Sequence, residues 1–207
     1  MKKIGIICAM KLEVPSMIPC VKKKEVSVQR EGDYEIGVIV SGMGRKNALN
    51  GAFKLCQQLR PDLILVLGFC AATRKDFKIG SLLLAESVLY KRSEIDLWSM
   101  PVIKTETLLI NSKISYHRGK IQTSDHLESC QENISDFVIG VDMETYAIVE
   151  IAKGYKIPII AVRAITDYLP EKKINWYQYP FGIFKALVCM IPAKKSINHF
   201  AQEYFRH

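Results

Sequence analysis

The residues best suited to chemistry in this sequence are acids that follow apolar, strand-like runs. Glu13 comes shortly after the first run, Glu144 follows a run that ends at Val141, and Asp167 follows one that ends at Thr166. Ligands of open α/β sheets bind beyond the carboxyl ends of the strands, so we expect these acids to share one edge. Close carboxylates repel one another unless something uses them. The spacing therefore favours acid–base chemistry by carboxylates at that edge.

Each acid also has a purely structural interpretation. Asp142 and Glu144 precede a predicted helix, where carboxylates complement the helix dipole and cap free N–H groups. Asp167 is also compatible with the start of a turn, and Glu13 with an exposed position on a surface helix. The acids become informative as a set rather than one by one.

No histidine, cysteine or serine belongs to a recognised metal or nucleophile motif. The six cysteines include no C-x-x-C pair, the four histidines form no H-E-x-x-H, and no G-x-S-x-G is present. We therefore expect no metal and no cofactor. Several cysteines lie in apolar runs, where a free thiol acts as a small hydrophobic group. Unpaired cysteines indicate a reducing compartment, hence the cytoplasm.

The elements that must position the acids alternate along the chain. Continuous apolar runs predict strands covered on both faces, and apolar residues at steps of three and four predict helices. We predict strands at 3–8, 25–29, 34–40, 63–68, 81–88, 119–122, 138–141 and 158–166, and helices at 46–59, 124–132, 143–153 and 184–204. The last helix is predicted to be interrupted near Pro192. This alternation predicts an α/β fold of three αβα layers around a twisted, mostly parallel but mixed sheet.

Size and charge restrict the function classes. A length of 207 residues predicts a single domain over 1–207, and 49% hydrophobic with 24% charged residues exclude collagen, mucin and general disorder. Beyond the first strand, the longest apolar stretch, at 63–72, is too short to cross a bilayer. The net charge is +8, but the lysine and arginine pairs are scattered rather than arranged in one stripe. We therefore expect no nucleic-acid partner.

Four segments resemble the 5′-methylthioadenosine/S-adenosylhomocysteine nucleosidases of the nucleoside phosphorylase and nucleosidase superfamily. They are I-G-I-I-C-A-M-K-L-E-V at 4–14, S-G-M-G-R-K-N-A at 41–48, V-D-M-E-T-Y-A at 141–147 and V-R-A-I-T-D at 162–167. Their order and spacing agree over roughly 4–168, and the last two are specific in combination. The resemblance implies a nucleoside phosphorylase-like fold, a small nucleoside substrate and a homodimer.

The same resemblance implies roles for the acids in cleavage of an N-glycosidic bond. Asp167 donates a proton to N7 of the leaving purine, and Glu13 orients and deprotonates the attacking water. Glu144 accepts hydrogen bonds from the ribose hydroxyls, and Met143 packs against the sugar. Further substrate contacts are implied for Ala9, Ser41, Gly42, Phe69, Cys70, Ala71 and Leu127.

Two positions depart from the family pattern. Phe69–Ala72 stands where the family has a small-Ala-Gly-Gly loop, and because alanine tolerates positive φ poorly we expect a different loop path. Leu127 stands where a phenylalanine normally stacks on the purine, so we expect weaker stacking on the base.

The sequence leaves three functions open. Hydrolysis is favoured because Glu13 is available to activate water and Gly68–Ala72 lacks the arginine with which phosphorylases clamp phosphate. The first alternative is a phosphate-dependent phosphorylase, including one acting on a lipid-linked adenosyl substrate, since 119–170 also resembles the hopanoid-associated phosphorylases. The aromatic and basic tail at 176–195 fits a membrane surface, but an ordinary packed helix is the interpretation that we favour. The second alternative is a non-catalytic nucleoside- or nucleic-acid-binding protein.

Overall fold

In a computed structural model of the protein, the predicted strands form one mixed sheet. The structure describes residues 1–19, 21–97, 99–125, 134, 136–169 and 180–206. The strands are β1 (Lys2–Cys8), β2 (Val26–Glu31), β3 (Tyr34–Val40), β4 (Leu63–Ala72), β5 (Leu82–Tyr90), β6 (Ser93–Asp96), β7 (Tyr116–Thr123), β8 (Val138–Asp142) and β9 (Ile159–Tyr168). The helices are α1 (Arg45–Leu59), α2 (Met100–Asn111), α3 (Thr145–Gly154) and α4 (Pro180–Arg206), with a 3₁₀ turn at Lys11–Glu13.

Most strand pairs of the sheet are parallel. β1 pairs in parallel with β3 and β4, β4 with β9, and β7 with β5 and β8. The antiparallel pairs are β2–β3, β5–β6, β5–β9 and β4–β8. Because β8 pairs with the end of β4, the strands β4, β9, β5, β7 and β8 close into a ring. The predicted mixed sheet is confirmed, whereas the closure of five strands into a ring was not predicted from the sequence.

Helices cover both faces of the sheet and complete the three layers. Leu55 of α1 and Ala147 of α3 are fully buried in the core on one face. Val102 of α2 and Phe200 of α4 are fully buried in the core on the other. Burial of apolar side chains on both faces explains why β1, β4 and β9 read as continuous apolar runs.

The segment predicted to be a loop, Phe69–Ala72, is the end of strand β4. Its backbone pairs with β9 along its length, and Ala71 and Ala72 pair with β8 on the other side. Among these four described residues none has a positive φ. The loop prediction was wrong because ladder hydrogen bonds on two sides hold the backbone extended.

Two further predictions differ from the structure. Helix α4 runs through Pro192 without interruption, because Ala193, Ile197 and Phe200 on its buried face anchor it against the sheet. Between Tyr90 and Tyr116, where we predicted no element, lie β6 and α2. The helix predicted at 124–132 falls largely on 126–133, outside the described residues.

No helix in the described ranges is long and apolar enough to span a membrane.

Candidate active site

Glu13 is a buried acid just beyond the carboxyl end of β1. The turn that follows the strand folds back, so that only 2% of the residue is exposed. Its Oε2 accepts hydrogen bonds from the N–H groups of Ala9 (2.7 Å) and Met10 (2.8 Å), and its Oε1 from that of Phe69 (3.0 Å). Burial raises the pKa of Glu13, although nearby Arg163 and the three N–H donors act against that rise. The alternative of an exposed helix position is excluded.

Arg163 of β9 carries the positive charge that balances the buried acids. Its Nη2 lies 2.7 Å from Oδ2 of Asp142 and 3.9 Å from Oε2 of Glu144. Its Nε and Nη2 also donate to Oγ1 of Thr145 at 3.0 and 2.8 Å. Buried charges persist when paired and hydrogen-bonded, and Arg163, only 1% exposed, meets both conditions. The sequence predicts no role for Arg163. Its charge within an apolar strand is the one local sign that it has a buried acidic partner.

Gly68 lets the Arg163 guanidinium lie beside Glu13. A Cβ added at Gly68 would collide with Nη1 of Arg163 and would lie 3.0 Å from Oε1 of Glu13. A glycine in a strand interior commonly marks such a close approach. Arg163 therefore lies within electrostatic reach of Glu13 on one side and of Asp142 and Glu144 on the other.

The two acids before α3 have different surroundings. Asp142 accepts the N–H of Thr145 at 3.1 Å and so caps the helix, as its structural interpretation predicts. Glu144 makes no capping bond; its Oε1 instead accepts the N–H of Gly44 at 2.7 Å. Gly44 has a φ of 87°, which favours glycine. Burial raises the pKa of Glu144 to about 7, with Arg163 acting against the rise and Asp142 with it.

Asp167 lies within β9, at an irregularity of its pairing with β4. Cys70 is opposite Ile165 and Ala71 is opposite Asp167, so Thr166 has no partner in the ladder. Such bulges redirect side chains and recur beside active sites. Oδ1 of Asp167 accepts the Thr166 hydroxyl at 2.6 Å. The residue is exposed, yet the protein around its carboxyl group partly desolvates it, and this raises its pKa. The alternative that Asp167 begins a turn does not hold.

The other predicted contact residues in the described part of the chain adjoin these acids. Gly42 donates its N–H to the Ala9 carbonyl at 3.1 Å, and Ser41 donates its N–H to the Cys8 carbonyl at 2.9 Å. The turn at 41–44 is thereby joined to the residues that hold Glu13.

The end of β4 connects Asp167 to this cluster. Phe69 holds Glu13 through its N–H, and the Cys70 carbonyl accepts the Thr166 hydroxyl at 3.3 Å. Ala71 and Met143 are partly exposed there. Leu127 lies outside the described residues.

Two arginines near the site are already engaged by acids. The Arg45 guanidinium lies 4.7 Å from the centre of the Tyr90 ring and 3.5 Å from Oδ1 of Asp125. The Tyr90 hydroxyl donates to the same carboxylate at 2.7 Å. Arg74 pairs with Asp76 at 2.6 Å on the surface.

Two surface clefts in the described part of the chain lie apart from the acids. A surface cleft of about 630 Å³ lies at the ends of α1 and α3 and contains none of them. A smaller one of about 180 Å³ is lined by Ser41 and by residues of α1. In the described part of the chain, no three His, Cys, Asp or Glu side chains come together in a way that could hold a metal ion. We therefore define the candidate site by the acids and their hydrogen bonds.

Comparison with known proteins gives relatives that include nucleosidases and a futalosine hydrolase. A curated 5′-methylthioadenosine/S-adenosylhomocysteine nucleosidase of Haemophilus influenzae is 25% identical, over 80% of this chain and 85% of that protein. A nucleosidase of the same name from Neisseria meningitidis, solved in complex with methylthio-immucillin-A, matches the fold with a TM-score of 0.78 at 15% identity, over 98% of both chains. A futalosine hydrolase mutant of Helicobacter pylori matches with a TM-score of 0.77 at 17% identity, over 98% of this chain and 100% of that one.

A family model agrees with these matches. The model described as the phosphorylase superfamily matches residues 3–176, a range that contains every acid of the candidate site. The chain therefore belongs to the phosphorylase superfamily.

Proposed function

We propose that the protein hydrolyses the N-glycosidic bond of a 5′-modified adenosine, such as methylthioadenosine or adenosylhomocysteine. The observation that carries the proposal is the Glu13 carboxylate, which is buried, fixed by three backbone N–H groups and raised in pKa. The superfamily and the names of the relatives support the same reaction class.

Glu13 has the properties of a general base for water. Each carboxylate oxygen offers two lone pairs, so the three backbone bonds leave capacity to accept a proton. A raised pKa makes the carboxylate a stronger proton acceptor, as a general base for water requires. The fixed position keeps the activated water in one place.

Asp167 has the properties of the acid that protonates the purine. Its raised pKa increases the protonated fraction, and its exposure leaves the carboxyl group accessible to a ligand. Protonation of N7 makes the base a better leaving group and so assists departure from an oxocarbenium-like sugar, as in glycoside hydrolysis.

Glu144 and Met143 remain the proposed sugar contacts. The Gly44 N–H fixes one oxygen of Glu144, and the other oxygen is 3.9 Å from Arg163, beyond hydrogen-bond distance. That second oxygen can therefore accept a ribose hydroxyl. Ala9, Ser41, Gly42, Phe69, Cys70, Ala71 and Leu127 complete the proposed substrate contacts.

Water is favoured over phosphate as the nucleophile. Arg45, which follows the turn at 41–44, is paired with Asp125, and Arg74, which follows the end of β4, is paired with Asp76. The Glu13 carboxylate would also repel an anionic nucleophile, whereas it activates a neutral one.

We further propose a cytoplasmic homodimer. Cys8, Cys56, Cys70 and Cys189 are free thiols, which fits a reducing compartment. Phe53 on α1 and Tyr155 directly after α3, each more than 40% exposed, contact each other edge to face and offer a second copy an apolar surface. Sedimentation equilibrium should give the mass of a dimer, and a monomer at all concentrations would contradict this part.

Product analysis tests the reaction. The protein is incubated with adenosine, inosine, methylthioadenosine, adenosylhomocysteine and futalosine, each with and without phosphate, and the free base and the sugar product are identified. We expect adenine and an unphosphorylated sugar from the 5′-thio nucleosides without phosphate. Release that requires phosphate would establish the phosphorylase instead. The variant Glu13→Gln gives the background level of base release. If the wild type releases no more base than this variant from any nucleoside, the alternative of a non-catalytic binding protein is favoured.

A further inference from the structure

The C-terminal helix holds the backbone that directly follows Glu13. Lys194 of α4 donates from Nζ to the carbonyl oxygen of Val14. One helical turn later, Asn198 accepts the N–H of Ser16 at 2.9 Å and donates to the Ser16 hydroxyl at 2.9 Å. Two side chains of one helix face thus hold a short segment that is 180 residues away in sequence.

Apolar packing fixes the position of this contact. Val14 and Ile18 belong to the same buried cluster as Ala193, Ile197 and Phe200 of α4. The helix residues follow one another at steps of four and three, so they share the face that covers the sheet. Lys194 and Asn198 lie next to this face, so the polar contacts have a rigid support.

The Lys194 amine, bonded to the carbonyl of the residue after Glu13, also interacts electrostatically with Glu13. Lys194 is half-buried; burial lowers the pKa of its amine, while Cys8 and Glu13 raise it. The next residue, Lys195, is exposed. The two adjacent lysines of the tail therefore differ: Lys194 contacts the residue after Glu13, and Lys195 is exposed to solvent.

Glu13 also faces other ionisable groups. Arg163 of β9 favours its charged form, whereas the Glu144 carboxylate at the start of α3 interacts unfavourably with it. Cys8 of β1 is a buried thiol whose pKa is raised by burial. Lys194 of α4 is thus a second cation, on a different element from Arg163.

We propose that Lys194 is a positioning residue for hydrolysis, holding the turn of Glu13 through the Val14 carbonyl and placing an ammonium charge near the Glu13 carboxylate. This inference rests on the proposed role of Glu13 as the base. It assigns a function at the proposed site to one of the two tail lysines that sequence analysis associated with a membrane surface.

Three variants separate the position from the charge. Lys194→Met removes the hydrogen bond and the charge, Lys194→Gln keeps a donor and removes the charge, and Lys195→Met removes a charge from the exposed neighbour. The acid limb of kcat/KM for methylthioadenosine should move to higher pH in both Lys194 variants, because the Glu13 carboxylate loses a stabilising cation. For Lys194→Met we also expect kcat to fall about 10-fold to 10²-fold, since misplacement of a reacting group by about 1 Å has effects of this size.

Lys195→Met should match the wild type in both quantities. An acid limb that stays in place in Lys194→Gln, with normal folding by circular dichroism, would overturn the inference. So would the same shift in Lys195→Met, because the effect would then be one of net charge only.

A titration independent of activity separates this inference from the proposed function. The protein is labelled with ¹³C at the glutamate carboxyl carbons, and Glu13→Gln identifies the signal. Lys194→Gln should raise the pKa of that signal and Lys195→Met should leave it unchanged, whether or not the wild type releases adenine. An unchanged pKa in Lys194→Gln contradicts the inference even if the nucleosidase activity is found.

Discussion

Asp167 and Glu13 share a raised pKa but have opposite surroundings. Glu13 is almost completely buried, and three backbone N–H groups fix both of its oxygens. Asp167 is exposed, and its Oδ1 accepts a hydrogen bond from the Thr166 hydroxyl. An immobile carboxylate suits a base that holds a small water molecule, and an accessible carboxyl group suits an acid that must meet a large leaving group.

The first prediction concerns Asp167. Asp167→Asn keeps the size of the side chain and its acceptor for Thr166 but cannot supply the proton. We expect kcat to fall about 10²-fold to 10⁴-fold, the usual contribution of one acid–base group. The melting temperature should stay close to that of the wild type, because the residue is exposed. Adenine release and thermal unfolding measure the two effects, and near-normal turnover would rule out the assignment.

The second prediction concerns the pH dependence of stability at Glu144. Burial raises its pKa from 4.5 to about 7, so the folded state keeps a proton that the unfolded chain releases in this range. Stability from this group is therefore lost as the pH rises from about 4.5 to 7. Glu144→Gln does not ionise and its oxygen can still accept the Gly44 N–H. Relative to the wild type, the variant should gain on the order of 3 kcal/mol between pH 4.5 and pH 8, at about 1.4 kcal/mol per pKa unit.

Urea unfolding at several pH values tests this expectation. Glu150→Gln is the matched control, because Glu150 is an exposed acid on the same helix. A constant difference between Glu144→Gln and the wild type across that range would contradict the argument.

At the scale of the elements, the contact between β4 and β9 depends on Gly68. A Cβ there would collide with the Arg163 guanidinium and press on Glu13. We expect Gly68→Ala to destabilise the fold by about 1–3 kcal/mol, as overpacking does. It should also lower kcat, because both charged groups must move. Gly154→Ala at the end of α3 is the control, since nothing lies within 4 Å of its added Cβ. Equal melting temperatures for the two variants would count against this account.

The sequence was sufficient for elements whose signal is local. The apolar runs of β1, β3, β4 and β9 and the helical spacing of α1 predict strands and a helix wherever they occur. The end of β4 was missed because the predicted strand stops at Gly68, although the apolar stretch continues to Ala72; pairing with β8 and β9 keeps these residues extended. α4 continues past Pro192 for a comparable reason, because the contacts that hold it lie on other elements.

The same distinction between local signals and tertiary contacts applies to the residues of the candidate site. The acids could be found because each follows a run that reads as a strand, and the topology brings strand ends together. Arg163 could not be given a role, since its partner Asp142 lies on another strand and only the fold makes them neighbours. Lys194 belongs to a tail for which the sequence favours an ordinary packed helix, and its contact with Val14 could not be predicted for the same reason. Local patterns identify residues that could react, whereas their charged neighbours depend on tertiary contacts.

At the scale of the molecule, closure of the sheet brings the acids together. Ala71 pairs with Val141 across the β4–β8 contact, and with Asp167 across the β4–β9 contact. Ala71, a single residue at the end of β4, thus joins the strand that leads to Glu144 with the strand that carries Asp167. Glu13 joins them through the Phe69 N–H, a little earlier on β4. The end of β4 is therefore the common support of all three proposed acids.

The net charge of +8 leads to the last prediction. The proposed acids lie at one end of the sheet, and methylthioadenosine carries no charge for a basic surface to attract. We therefore expect its kcat/KM to change less than about twofold between about 50 and 200 mM salt, since screening affects only interactions between charges. A nucleic-acid partner bound through 6–10 phosphates would instead weaken about 10³-fold to 10⁵-fold over this range. Adenine release measured across these salt concentrations, with a single-stranded oligonucleotide as competitor, distinguishes the two. A steep loss of activity with salt, or strong competition at low salt, would assign the positive charge to ligand binding and would favour an anionic ligand over a neutral nucleoside.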